Sequence, residues 1–194
     1  MTRTYAALWR RLDEPGHDAC ELIAGVDGCE LHGTAVFRHA LGPARLDYSV
    51  RCERDGRSRS GQVRGWIANR HWHLQVHRLE SGEWLLNDTR VDGLDACLDL
   101  DFGFTPATNV LTLRRLALEV GAAADVPVAW LDLPEASLVF LPQTYQRRSA
   151  TTYWYESPTA GYTALLEVAD SGFVTTYPGL WVMEERGQQE SQKC

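Results

Sequence analysis

Short runs of alternating apolar and polar residues, cut at near-regular intervals by an Xaa-Gly pair, restrict this chain to sheet folds. The pairs are Asp27-Gly28, Asp55-Gly56, Ser81-Gly82, Asp92-Gly93 and Ser171-Gly172. Each offers the positive-φ position that a tight hairpin turn requires. The clearest alternation lies in residues 45–53, where Leu46, Tyr48, Val50 and Cys52 face one way and Arg45, Asp47, Ser49, Arg51 and Glu53 the other. Residues 71–77 repeat the pattern, with Trp72, Leu74 and Val76 opposite His71, His73, Gln75 and His77. Strand side chains alternate with period two, so one face of each run is apolar.

Further strands are expected at 18–25, 29–38, 60–68, 83–88, 95–102, 110–118, 126–132, 137–146, 151–156, 162–168 and 173–177. Val128-Ala129-Trp130-Leu131 is apolar on both faces, which suits a strand covered on two sides. Helical periodicity is scarce; residues 5–12 are expected to make a turn or two of helix. So many short strands predict an all-β fold, a large antiparallel sheet curled into a barrel or half-barrel, or folded as a sandwich. No Pro-, Gly- or Ser-rich linker divides the chain, so residues 1–184 are read as a single domain and 185–194 as a disordered polar tail.

The net charge of −7 excludes a general nucleic-acid or anionic-membrane binder, since both require a basic face. Arg51, Arg54, Arg57, Arg59 and Arg64 cluster locally and are read as solvated hairpin positions. No apolar run reaches the roughly 20 residues of a membrane span, and residues 1–20 lack the pattern of a signal peptide. A cytoplasmic protein without stable membrane insertion is expected, as a monomer or weak homodimer. The cysteines Cys20, Cys29, Cys52, Cys97 and Cys194 are odd in number and form no C-x-x-C motif, which suits reduced thiols.

Residues 99–116, DLDFGFTPATNVLTLRRL, concentrate the candidate chemistry. On a strand, Asp99 and Asp101 share one face. A Thr105-Pro106 bend and the amide of Asn109 follow, then Arg114 and Arg115 among Leu111, Leu113 and Leu116. Acids, an amide and guanidinium groups in an apolar frame are costly to desolvate unless they pair with one another or with a ligand. Two readings stay open: an internal ion-pair lattice that fixes sheet register, or a site in which the acids act on a ligand and an arginine clamps an anionic head group.

Other chemistry finds less support. His71 and His77 are six residues apart, about 20 Å along an extended strand, too far to share one metal ion, and no metal site or cofactor is expected. There is no G-x-S-x-G nucleophile motif and no Gly-rich phosphate loop. Trp66, Trp84, Trp130, Tyr145, Tyr153, Trp154 and Tyr155 suit a core, or the wall of a ligand-holding lumen.

An ordered set of motifs resembles the bacterial putative glycolipid-binding family over residues 9–183. Trp9 with Gly16-His17-Asp18 is similar to its opening, and residues 99–116 to its most specific segment. Ala129-Trp130 with Pro134, Gln143-x-Tyr145, Tyr153-x-Tyr155, Asp170-x-Gly172-x-Val174 and Tyr177-Pro178 follow in order. Thr112 replaces the usual proline, and Thr176 an acid that commonly precedes Tyr-Pro. The resemblance implies a strongly curved antiparallel sheet, similar to bacterial lipoprotein-carrier folds, whose apolar concavity holds an amphiphile such as a glycolipid. The candidate ligand contacts are Asp99, Asp101, Asn109, Arg114, Arg115, Trp130, Gln143, Tyr145, Tyr153 and Tyr177. The alternative is an enzyme of the same fold, an isomerase, cyclase or hydrolase acting on a hydrophobic small molecule through Asp99 and Asp101.

Overall fold

A computed structural model describes residues 2–190. Six long strands come first: β1 (Arg3–Arg11), β2 (Gly16–Gly25), β3 (Gly28–His39), β4 (Gly42–Cys52), β5 (Ser58–Ile67) and β6 (Arg70–Arg78). Shorter ones follow: β7 (Trp84–Leu86), β8 (Thr89–Val91) and β9 (Asp99–Phe102), then helix α1 (Asn109–Leu116). The remainder are β10 (Ala123–Asp125), β11 (Val128–Asp132), β12 (Ser137–Leu141), β13 (Thr144–Arg147), β14 (Thr152–Ser157), β15 (Tyr162–Val168), β16 (Val174–Tyr177) and β17 (Trp181–Glu190).

A 14-stranded antiparallel sheet runs in the order β10-β13-β14-β15-β16-β17-β1-β2-β3-β4-β5-β6-β7-β8. Its edges, β10 and β8, do not pair with each other, so the curled sheet stays open and is not a closed barrel. β12, β11 and β9 form a second, three-stranded sheet in which β9 runs parallel to β11. β11 is its central strand, which accounts for the two-sided burial of Val128, Ala129 and Leu131.

Period-two burial builds the long-strand half as the alternation requires. On β4, Ala44, Leu46, Tyr48, Val50 and Cys52 are buried while Arg45, Asp47 and Arg51 are not. Trp9, Leu22, Leu31 and Leu46 share one contiguous core with Leu100, Phe102, Val110 and Leu113, contributed by β9 and α1. Gly61 shows how closely these layers approach: a Cβ added there would lie 2.2 Å from Cδ2 of Leu100. The inner face of the long strands is thus packed by the chain's own β9 and α1.

Three expectations are corrected. Residues 110–118, read as a strand, begin with the helix α1, which ends at Ala117 in a left-handed conformation whose N–H bonds Leu113 O at 3.1 Å. Leu and Arg favour helix, and Arg114 and Arg115 suit the negative end of the helix dipole. Residues 5–12, read as helical turns, lie in β1, where Tyr5, Ala7 and Trp9 alternate inward. β17 continues to Glu190, paired with β1 from Trp181↔Arg11 to Glu190↔Arg3, where the tail was expected to leave the fold. Residues 191–194 of that tail, with Cys194, lie outside the described residues. Among the described residues no helix is long and apolar enough to cross a membrane.

Candidate functional site

Asp99 and Asp101 stand two positions apart on β9 and meet different fates. Asp99 is fully buried and takes a bidentate bond from Arg115, Nε to Oδ1 at 2.9 Å and Nη2 to Oδ2 at 2.6 Å. That fork-to-fork geometry commits both carboxylate oxygens. Asp101 has no cationic partner in its bonds: Thr108 Oγ1 donates to Oδ1 at 2.5 Å and Gln143 Nε2 to Oδ2 at 3.0 Å. Burial raises its pKa above the ordinary carboxylate value, against the lowering effect of those two bonds. Each oxygen keeps acceptor capacity, and the carboxyl faces a cleft of about 260 Å³.

The cleft lies between the turn from β9 to α1 and the ends of β11, β14, β15 and β16. Gly103 lets Trp130 lie over the backbone, since a Cβ there would sit 2.7 Å from the indole. Opposite, Tyr155, Tyr162 and Tyr177 form a cluster with ring centroids 5.2–6.1 Å apart. Tyr162 donates to Pro178 O at 2.6 Å. Burial raises the pKa of both Tyr155 and Tyr177. Ser157 is 1% exposed, and its Oγ makes no hydrogen bond. An unpaired buried hydroxyl is unfavourable and calls for an unseen partner.

Behind the cleft floor stands a second buried carboxyl. Tyr48 OH donates to Asp18 Oδ1 at 2.7 Å and lies 3.1 Å from Thr105 Oγ1, which lines the cleft. Gly33 leaves room for that phenol, as a Cβ there would lie 2.2 Å from Tyr48 OH. Asp18 Oδ2 has no partner, and burial pushes the carboxyl up to about 7.

Of the expected contacts, Asp101, Asn109, Trp130 and Tyr177 meet at the cleft. Gln143 reaches it only through Asp101. Asn109 donates to Pro106 O at 3.1 Å and accepts from Tyr145 OH at 2.7 Å, which holds Tyr145 in the wall. Asp99 and Arg115 satisfy each other within the protein. Arg114 is exposed, bonds Ser171 O at 3.0 Å and lies over the Tyr5 ring. Tyr153 borders a separate depression beside Arg114 and Arg147. Ser157, Tyr162 and Trp181 line the cleft without having been expected there, beside Tyr155, which was read as core or lumen wall. The alternation of residues 153, 155 and 157 shows their shared face but not where along the sheet that face opens.

A wider depression of about 590 Å³ lies between the β2–β3 and β4–β5 turns. Its Arg51 is already paired with Glu30 at 2.8 Å. His71 and His73 are exposed, and among the described residues no three His, Cys, Asp or Glu side chains converge as metal ligands.

Comparison with known proteins agrees with this architecture. The model of the putative glycolipid-binding family matches residues 6–183. The crystal structure of a DUF1089 family protein from Pseudomonas aeruginosa superposes with a TM-score of 0.72 at 25% identity, covering 91% of this chain and 90% of that one. No curated protein matches. The match across nearly all of the described sheet places the chain in the putative glycolipid-binding family.

Proposed function

We propose that the protein binds an amphiphile, a glycolipid or a chemically similar molecule, by its compact ring-sized head. The observation that carries this reading is the cleft itself: Asp101 and the unpaired Ser157 hydroxyl open onto one small space walled by Trp130, Tyr155, Tyr162 and Tyr177. Broad aromatic faces take the apolar faces of a sugar ring, and a carboxylate with free lone pairs takes its hydroxyls. About 260 Å³ is below the roughly 300–1,000 Å³ of drug-sized pockets. One ring fits and acyl chains do not, so the tail lies along the cleft mouth or in solvent.

Octyl glucoside below its micelle concentration tests the reading, with Trp130 and Trp181 as built-in fluorophores. Saturable fluorescence change and a ligand-dependent rise in melting temperature are expected. Both should weaken strongly in Trp130→Ala. An octyl amphiphile without a sugar that binds equally well, or no response to either, contradicts a head-group site.

A further inference from the structure

We propose that the same cleft is a proton-transfer site, in which Asp101 removes a proton from a carbon next to the carbonyl of a small cyclic ketone while Tyr155 donates a hydrogen bond to the carbonyl oxygen. This goes beyond head-group binding, because it assigns a reaction to groups that binding alone does not require in this arrangement.

Three observations converge on it. The first is the base. Thr108 and Gln143 fix both oxygens of Asp101 from the protein side, and neither supplies a positive charge that would weaken it. A base held by neutral orienting groups within an apolar wall is what carbon-acid chemistry needs. The second is the acid partner. The Tyr155 ring borders the cleft beside Tyr177, centroids 5.7 Å apart, and a phenol hydroxyl there is a donor for a carbonyl oxygen. The third is space. Asp101 and Tyr155 border one cleft of about 260 Å³, and a dry cavity of about 150 Å³ already accepts a six-membered ring. Stacking on Trp130 would hold a flat ring between base and donor.

The step balances without a co-reactant. With a β,γ-unsaturated ketone, the C–H bond between carbonyl and alkene breaks and its proton moves to Asp101. The electron pair spreads into a dienolate whose oxygen receives the Tyr155 hydrogen bond. Asp101 then returns the proton to the far end of that system, which leaves the conjugated ketone. The groups that bear on Asp101 are Thr108, Gln143 and the Phe102 backbone by hydrogen bond and Asp99 by charge. Arg115 neutralises Asp99. Asp101 in turn opposes ionisation of Tyr145, Tyr155 and Tyr177.

The test uses cyclohex-3-enone and a bicyclic β,γ-unsaturated octalone with the full chain. Conjugation is followed by ultraviolet absorbance and deuterium incorporation in heavy water by NMR. Isomerisation proportional to protein concentration is expected, with kcat/KM rising through one ionisation above the ordinary carboxylate range. Asp101→Asn should lower kcat/KM by about 10²-fold or more, and Tyr155→Phe by about 10²-fold. If Asp101→Asn does not fold, the pH profile and Tyr155→Phe decide. A wild-type rate no faster than the same concentration of acetate overturns the proposal, as does full activity in a folded Asp101→Asn. Saturable binding of either ketone without isomerisation overturns proton transfer alone and leaves the head-group reading in place.

Discussion

The long-strand half of the molecule and the short-strand half handle polar groups differently. Across β1 to β6 the inner face is packed by β9 and α1, and Asp18 meets only Tyr48 and Thr105 there. Across β13 to β16 the inner face is not filled at one end, and Asp101, Tyr155 and Ser157 border open space. A large curled sheet has more inner face than one helix and a small sheet can cover. The uncovered remainder is the cleft. On the proposed reading, stability is expected to concentrate in the first region and recognition in the second.

Breaking the buried pair should give the largest stability effect. Arg115→Ala leaves Asp99 buried and uncompensated, at a cost of about 3–5 kcal/mol. Arg114→Ala removes an exposed side chain and should cost less than about 1 kcal/mol. Chemical denaturation of the two variants compares them directly; equal losses would remove the distinction.

Asp18 supplies the next effect. The unfolded chain releases this proton near the ordinary carboxylate value, whereas the folded protein holds it to about 7. The unfolded state therefore binds fewer protons in between, so stability is full below about pH 4 and falls as pH rises toward 7. The loss is on the order of 4 kcal/mol at one pKa unit per 1.36 kcal/mol. Denaturation at several pH values should show this slope in wild type and its flattening in Asp18→Asn; an unchanged slope in the variant assigns it elsewhere.

Gly61→Ala sharpens the contrast at the packed end. Its Cβ meets Leu100 at 2.2 Å, and overpacking of that kind costs about 1–3 kcal/mol. Ser157→Ala stands at the other extreme. Its hydroxyl bonds nothing within the protein, so its removal should raise stability by about 1 kcal/mol, while affinity for octyl glucoside falls.

The long strands were legible because each has one apolar and one polar face, as in β4. α1 was not, because Leu111, Leu113 and Arg115 mimic strand alternation over a helix too short to reveal its period. β17 was missed for the opposite reason: past Met183, Glu184, Glu185 and Arg186 are all exposed, and pairing with β1 rather than alternation carries the strand on. In the site, Asp101, Asn109, Trp130 and Tyr177 were legible by residue type and motif. Ser157 and Tyr162 were not, since they reach the cleft only where the sheet runs out of cover, which is a property of the assembled layers.

The claim that recognition belongs to the short-strand end is tested most directly by mapping backbone amide shifts while octyl glucoside is added below its micelle concentration. The account predicts saturable perturbations centred on residues 101–109, 130, 155–162 and 177–181, absent in Trp130→Ala. Perturbations centred instead on the depression between the β2–β3 and β4–β5 turns, or spread over the outer faces of the sheet, would contradict it.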